Sequence, residues 1–230
     1  MTGPPEDRAA CVSCSNLPVC VLSALKTDLK RAARELHRIR FAPGETIFQQ
    51  GVPVPGLYVL CRGYAKLVFR TPSGKRLLIR FCGPGDLLEG ALSEEHVVSA
   101  VAVDGAVVSF IPHKSALGLL KRQPELAVEV GCRLVRDRHM LLDRLAYFAY
   151  GGVRERLARG LLELGKHYGV RYEQGLLIDL PLSRQDLAEL LGCSRQTASE
   201  ELHKLVGMRL IQLRQGTIIL TDMEGLRRLR

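Results

Sequence analysis

The run SRQDLAELLGCSRQTASEELHKLVG, Ser183 to Gly207, decides the fold of the C-terminal part. Ser183 with Asp186 three residues later has the form of a capping box, with Asp in place of the usual Glu. The hydroxyl can accept the amide proton of the third helical residue while the carboxylate reaches back to the cap. The helix begun there, Arg184 to Leu191, stops at Gly192, as a turn requires. Ser194 caps a second helix, Arg195 to Val206, which ends at Gly207. Two capped helices joined by a short glycine-containing turn predict a helix-turn-helix, with Leu187, Leu190, Leu191, Ala198, Leu202 and Leu205 as the shared core.

The residues left facing outward on the second helix are Arg195, Gln196, Ser199, Glu200, His203 and Lys204. Arg reads guanine in the major groove, Gln reads adenine, and Glu accepts from cytosine N4. Ser183 and Arg184 offer phosphate a backbone amide and a positive side chain. Downstream, Leu210 to Leu213 and Thr217 to Leu220 flank Arg214-Gln215-Gly216, a hairpin that reads as a wing, and Met223 to Leu229 closes the chain as a helix. Upstream, Val153 to His167 carries one apolar helical face, and Leu176 to Leu182 is a short apolar run.

Before that domain the periodicity changes twice. From Pro124 to Phe148 a long helix carries Leu126, Val130, Leu134, Leu141, Leu145 and Phe148 at near-heptad spacing, ending at Gly151-Gly152. Such a stripe needs a partner helix or must pack on its own neighbouring domain. A shorter helix is predicted at Lys114 to Lys121. From Ile39 to Pro112 the chain is β-rich: Glu45 to Gln49, Leu57 to Leu60, Ala65 to Arg70, Arg76 to Cys82, Val97 to Val103 and Ala106 to Ile111. Pro-Gly turns separate these runs, which predicts an antiparallel jelly roll of about eight strands. A helix from Leu22 to Leu36 is predicted ahead of it, and the first 22 residues are a Cys-rich segment without period.

The formal charge of +9 favours an anionic partner, and 47% apolar residues suffice for two modest cores in 230 residues. No stretch reaches the roughly 18 apolar residues of a membrane span, and Met1 to Ala10 lacks the basic start and apolar run of a signal peptide. A cytoplasmic location is therefore expected, where seven cysteines read as ligands, redox thiols or core residues rather than disulfides. Neither a P-loop nor a dinucleotide fingerprint is present, so an enzyme is not expected.

Pro43-Gly44-Glu45 with Phe48 and Gly51, GLYVLCRG (Gly56 to Gly63), FCGPGD (Phe81 to Asp86) and LGCSRQTASEELHKL (Leu191 to Leu205) together resemble the CRP/FNR family of bacterial transcription regulators. The resemblance implies an α+β chain in four parts. A Cys-rich segment (1–22) precedes a cyclic-nucleotide-binding-like sensory β-roll (23–122). A dimerisation helix (123–150) leads to a winged helix-turn-helix (151–230). It also implies a homodimer on double-stranded DNA, contact with RNA polymerase, DNA-facing Ser183, Arg184, Ser194, Arg195, Gln196, Ser199 and Glu200, and a dimer seam of Val130, Leu134, Leu141, Leu145 and Phe148.

Cyclic-AMP binders of the family carry an Arg-Ser pair that holds the cyclic phosphate; the matching stretch here is His96-Val97, or Val98-Ser99 with a gap. The FNR branch instead binds a [4Fe–4S] cluster, and Cys11, Cys14 and Cys20 reproduce its C-x2-C-x5-C spacing. Its fourth cysteine falls where this chain has Ser109. In a jelly roll the last strand pairs with the third, so Cys61 is expected to supply the missing sulfur, with Cys82 as second choice. Cys132 and Cys193 read as structural. Zinc, reactive thiols, a serine- or water-completed three-cysteine site, and a small ligand or haem in the roll remain alternative sensors. Glu200 stands where many members carry a guanine-reading Arg, so an operator unlike the usual half-site is expected.

Overall fold

The computed structural model describes residues 11, 13–89, 93–173 and 175–229. The opening residues 1–10 lie outside them, as does the reading of that stretch as a leaderless start. Two compact units divide the chain: Met1–Lys75 with Ile79–Arg138, and Arg76–Leu78 with His139–Arg230. The division falls inside the long helix rather than at Gly151-Gly152.

The first unit opens with 3-10 turns at Leu17–Val19 and Val21–Asp28, helix α1 (Leu29–Ala32) and a further 3-10 turn at Ala33–Glu35. The predicted single α-helix over Leu22 to Leu36 is thus corrected to mostly 3-10 winding. Leu22 and Leu25 stand three apart, and tight winding eclipses residues at that spacing on one buried face.

Eight strands follow among the described residues: β1 (His37–Phe41), β2 (Thr46–Phe48), β3 (Gly56–Arg62), β4 (Ala65–Arg70), β5 (Arg76–Cys82), β6 (Leu87–Glu89), β7 (Ser99–Ala102) and β8 (Ala106–Pro112). They form two four-stranded sheets, ordered β1-β8-β3-β6 and β2-β7-β4-β5. Between the sheets lie Phe48, Tyr58, Leu60, Leu67, Ala100 and Val108, and the rings of Phe48 and His96 stack at 4.0 Å. Strand alternation turns the other set outward. Leu57, Val59 and Ile111 pack against Val21, Leu22, Leu25 and Leu29 of the N-terminal turns, against Leu119 of α2 (His113–Arg122), and against Leu126 and Val130 of α3 (Pro124–Tyr150). A second core thus fastens the N-terminal segment to the outer face of the β3/β8 sheet.

The second unit contains the end of α3, then α4 (Val153–Tyr168), β9 (Gly169–Tyr172), β10 (Gly175–Ile178), α5 (Arg184–Leu191), α6 (Arg195–Gly207), β11 (Ile211–Arg214), β12 (Thr217–Leu220) and α7 (Met223–Arg228). Its sheet is ordered β11-β12-β10-β9. No helix among the described residues is long and apolar enough to cross a membrane.

Candidate thiol pocket and nucleic-acid interface

The β3/β8 ladder positions the pocket. The two strands run antiparallel with Val59 opposite Ser109, and β1 lies on the other side of β8 with Arg38 opposite Ser109. The register slips between Leu60 and Arg62, leaving Cys61 as the extra residue of a bulge. Bulges re-aim side chains, and here the Cys61 Sγ stands 3.0 Å from the Ser109 Oγ. The N-terminal segment closes over this spot: the Asn16 amide donates to the Cys61 carbonyl at 3.4 Å, and the Val21 amide donates to the Gly85 carbonyl at 3.1 Å.

Cys11, Cys14, Cys20 and Cys61 consequently line one pocket, together with Asn16, Leu17, Leu22, Arg38, Leu60 and Gly85. The four cysteines named from the sequence meet, although Cys61 lies 41 residues beyond Cys20 in the chain. Arg38 brings a guanidinium Nη2 within 3.5 Å of the Cys11 Sγ, and the Leu22 amide points at the Cys20 Sγ at 3.4 Å. Burial pushes the Cys20 thiol up to about 11, with the neighbouring Cys61 and Cys11 raising it further and the Leu22 amide opposing. Burial also raises Cys61, while the Ser109 hydroxyl pulls it back down. Among the described residues no three Cys, His, Asp or Glu side chains gather as a single metal ion requires.

The other cysteines lie elsewhere. Cys82, the second choice for the fourth ligand, is fully buried between the roll sheets, where burial raises its thiol to about 12. Cys132 is exposed on α3. Cys193 lies in the turn between α5 and α6. Arg38 was missed in the sequence because β1, read as HRIRF, lacks an apolar strand pattern, and Asn16 because it stands in a segment without period; once β1 pairs with β8, Arg38 falls in line with Ser109.

The helix-turn-helix forms as its caps direct. Ser183 accepts from the Asp186 amide at 3.0 Å, and Asp186 accepts from the Ser183 amide at 3.1 Å. Gly192 takes the left-handed φ of 63° that ends α5, and Ser194 accepts from the Thr197 amide at 3.0 Å. Leu187, Leu191, Ala198, Leu202 and Leu205 are buried. Ser183, Ser194, Arg195, Gln196 and Glu200 are exposed, and Arg184 and Ser199 are half-buried. The Gln196 amide donates to the Glu200 carboxylate at 3.0 Å. Glu201 is held below the usual carboxylate range, chiefly by hydrogen bonds from Lys204 and Arg154. β11 and β12 pair through Arg214 and Thr217 to make the wing.

Residues 155–229 match the Crp-like helix-turn-helix domain, and residues 38–123 match the cyclic nucleotide-binding domain. The chain belongs to the CRP/FNR family of DNA-binding transcription regulators. Among its relatives is the nitrogen fixation regulation protein FixK of Bradyrhizobium diazoefficiens, 28% identical over 92% of this chain and 90% of that protein. The CRP-like cAMP-activated global transcriptional regulator of Mycobacterium tuberculosis is 26% identical over 85% of this chain and 88% of that protein. The solved structure of a CooA variant from Carboxydothermus hydrogenoformans superposes with a TM-score of 0.78, covering 90% of this chain and 94% of that one; at 17% identity the likeness is one of fold.

The residues expected to form a dimer seam lie along α3. Leu134, Leu141 and Leu145 are exposed, with Leu145 at 64%. Val130 is corrected: it is 2% exposed and belongs to the core beneath the roll. Phe148 is half-buried, with the Arg156 guanidinium 4.9 Å over its ring.

Proposed function

We propose that this CRP/FNR regulator responds to redox state, oxygen or nitric oxide through an iron–sulfur cluster held by Cys11, Cys14, Cys20 and Cys61. The single observation that carries the reading is the convergence of those four thiols on one pocket from two distant parts of the chain. The donor set suits the group: four thiols, with no carboxylate or imidazole among the lining residues, are the soft ligands of iron–sulfur centres. When bound, the cluster would supply a centre sensitive to oxidants.

Residues around the thiols support the reading. Arg38 sets a permanent positive charge beside a site that four thiolates would make strongly negative. The Ser109 hydroxyl can donate to a Cys61 thiolate, the kind of contact that tunes a cluster's potential. Reactive sensor thiols need a depressed pKa, whereas burial raises Cys20 and Cys61.

The protein in this reading is a cytoplasmic homodimer. It pairs through Leu134, Leu141 and Leu145, and presents Ser183, Arg184, Ser194, Arg195, Gln196, Ser199 and Glu200 to duplex DNA. Contact with RNA polymerase follows from the family. Purification without oxygen tests the sensor. The expected protein holds about four iron and four sulfide per subunit, shows a visible absorbance that bleaches in air, and changes its affinity for DNA on bleaching. Zinc, or no metal, contradicts the cluster.

A further inference from the structure

Gly85, in the turn after β5, is bonded in three directions. Its amide donates to the Leu60 carbonyl at 2.7 Å, next to Cys61. Its carbonyl accepts from the Val21 amide at 3.1 Å, next to Cys20. The same carbonyl accepts from the Arg133 Nη1 on α3 at 3.0 Å. One residue thus ties together both cysteine-bearing segments and the long helix. A side chain has no room there: a Cβ would stand 2.9 Å from the Cys20 Cα and 3.0 Å from the Val19 carbonyl carbon, at a φ of +93°.

Arg133 closes the arrangement. Its Nη2 donates to the Val19 carbonyl at 2.7 Å, one residue before Cys20. Its Nη1 lies 3.5 Å from the Asp86 carboxylate, and its Nε pairs with Glu129 at 2.8 Å, one turn back on the same helix. The guanidinium is a rigid planar fork, so it can satisfy both carbonyls only while they keep their separation. Any shift of Cys20 carries the Val19 carbonyl with it.

We propose that Arg133 is the positioning residue that docks the Cys20 arm onto α3, so that closing or opening the thiol pocket is felt by the long helix. The proposal rests on the four-cysteine reading for its biological use, but the docking itself holds for any occupant. With the arm closed, Arg133 bridges Val19, Gly85, Asp86 and Glu129. With the arm open, it loses Val19 and keeps the Gly85 carbonyl and the two carboxylates. These are the two arrangements that a pocket occupant biases.

The test uses the full-length, reduced, metal-free protein and its Arg133→Gln and Arg133→Lys variants. Iodoacetamide labelling is followed cysteine by cysteine by mass spectrometry. Half-buried Cys193, remote in sequence from the substitution, reports the reagent, and buried Cys82 reports global unfolding. With Cys82 still protected, Cys20 in Arg133→Gln should react about ten-fold faster or more, because opening no longer breaks charge-assisted bonds. Removing a cation from beside a thiol by itself slows alkylation, so the sign separates docking from charge. Arg133→Lys keeps the charge without the fork and should also speed Cys20; it carries the test if Arg133→Gln exposes Cys82. An unchanged or slower Cys20 in both overturns the proposal. In protein loaded with iron and sulfide, the wild type should change DNA Kd on exposure to air while Arg133→Gln keeps its iron and no longer responds. A variant that keeps iron and still responds overturns the link to the helix. Iron-free wild type would overturn the cluster reading instead, leaving the labelling to decide the clamp.

Discussion

Burial sets the chemistry of the pocket thiols. Cys20 ionises only near pH 11 because its surroundings cannot solvate a thiolate, and its neighbours are themselves thiols. A folded pKa above the unfolded value means that the folded state holds its proton longer. The associated stability is complete below pH 9 and is lost as pH rises toward 11. The metal-free protein should therefore show a falling urea midpoint across that window. Cys20→Ser should remove a share on the order of 2 kcal/mol. Equal slopes in the two proteins would show that Cys20 does not titrate as its burial requires. Iron taken up at neutral pH must in turn displace protons from these thiols.

At the scale of elements, the helix-turn-helix was legible because its code is local. Ser183, Asp186, Gly192 and Ser194 each act within three or four residues of where they stand, and the structure places each in the expected role. Gly192 does more than turn the chain: at φ 63°, an added Cβ would lie 2.7 Å from the Phe148 ring. Gly192→Ala should cost about 1–3 kcal/mol and lower the melting temperature of the isolated residues 139–230 and of the whole chain alike; an unchanged melting curve would contradict the packing. The strands were legible only in part. β1 is charged, β6 has three residues and β9 is polar, so none carries the alternation that marks a half-buried strand. The meeting of Cys61 with the N-terminal cysteines could be argued from jelly-roll strand order. The bulge that aims Cys61, and the Arg38 and Arg133 contacts, depend on pairing register and tertiary packing that no local pattern encodes.

Across the whole molecule, α3 serves two masters. Its first turns, through Leu126 and Val130, belong to the roll core. Further along, Leu134, Leu141, Leu142 and Leu145 leave an apolar face exposed, the face through which the proposed dimer would pair. Leu141→Glu should give a folded monomer by sedimentation, with DNA affinity reduced at least ten-fold as the second half-site contact is lost; a dimer of unchanged affinity would place the interface elsewhere. The most direct test of the sensor concerns the residue that comes from outside the N-terminal cluster. Iron and sulfide should be measured in anaerobically purified wild type, Cys61→Ala, and Cys61→Ala with Ser109→Cys. The wild type should hold about four of each, and Cys61→Ala should lose them. The double variant should regain them, since the side-chain atoms of Cys61 and Ser109 lie 3.0 Å apart. Full iron in Cys61→Ala would contradict the four-cysteine site.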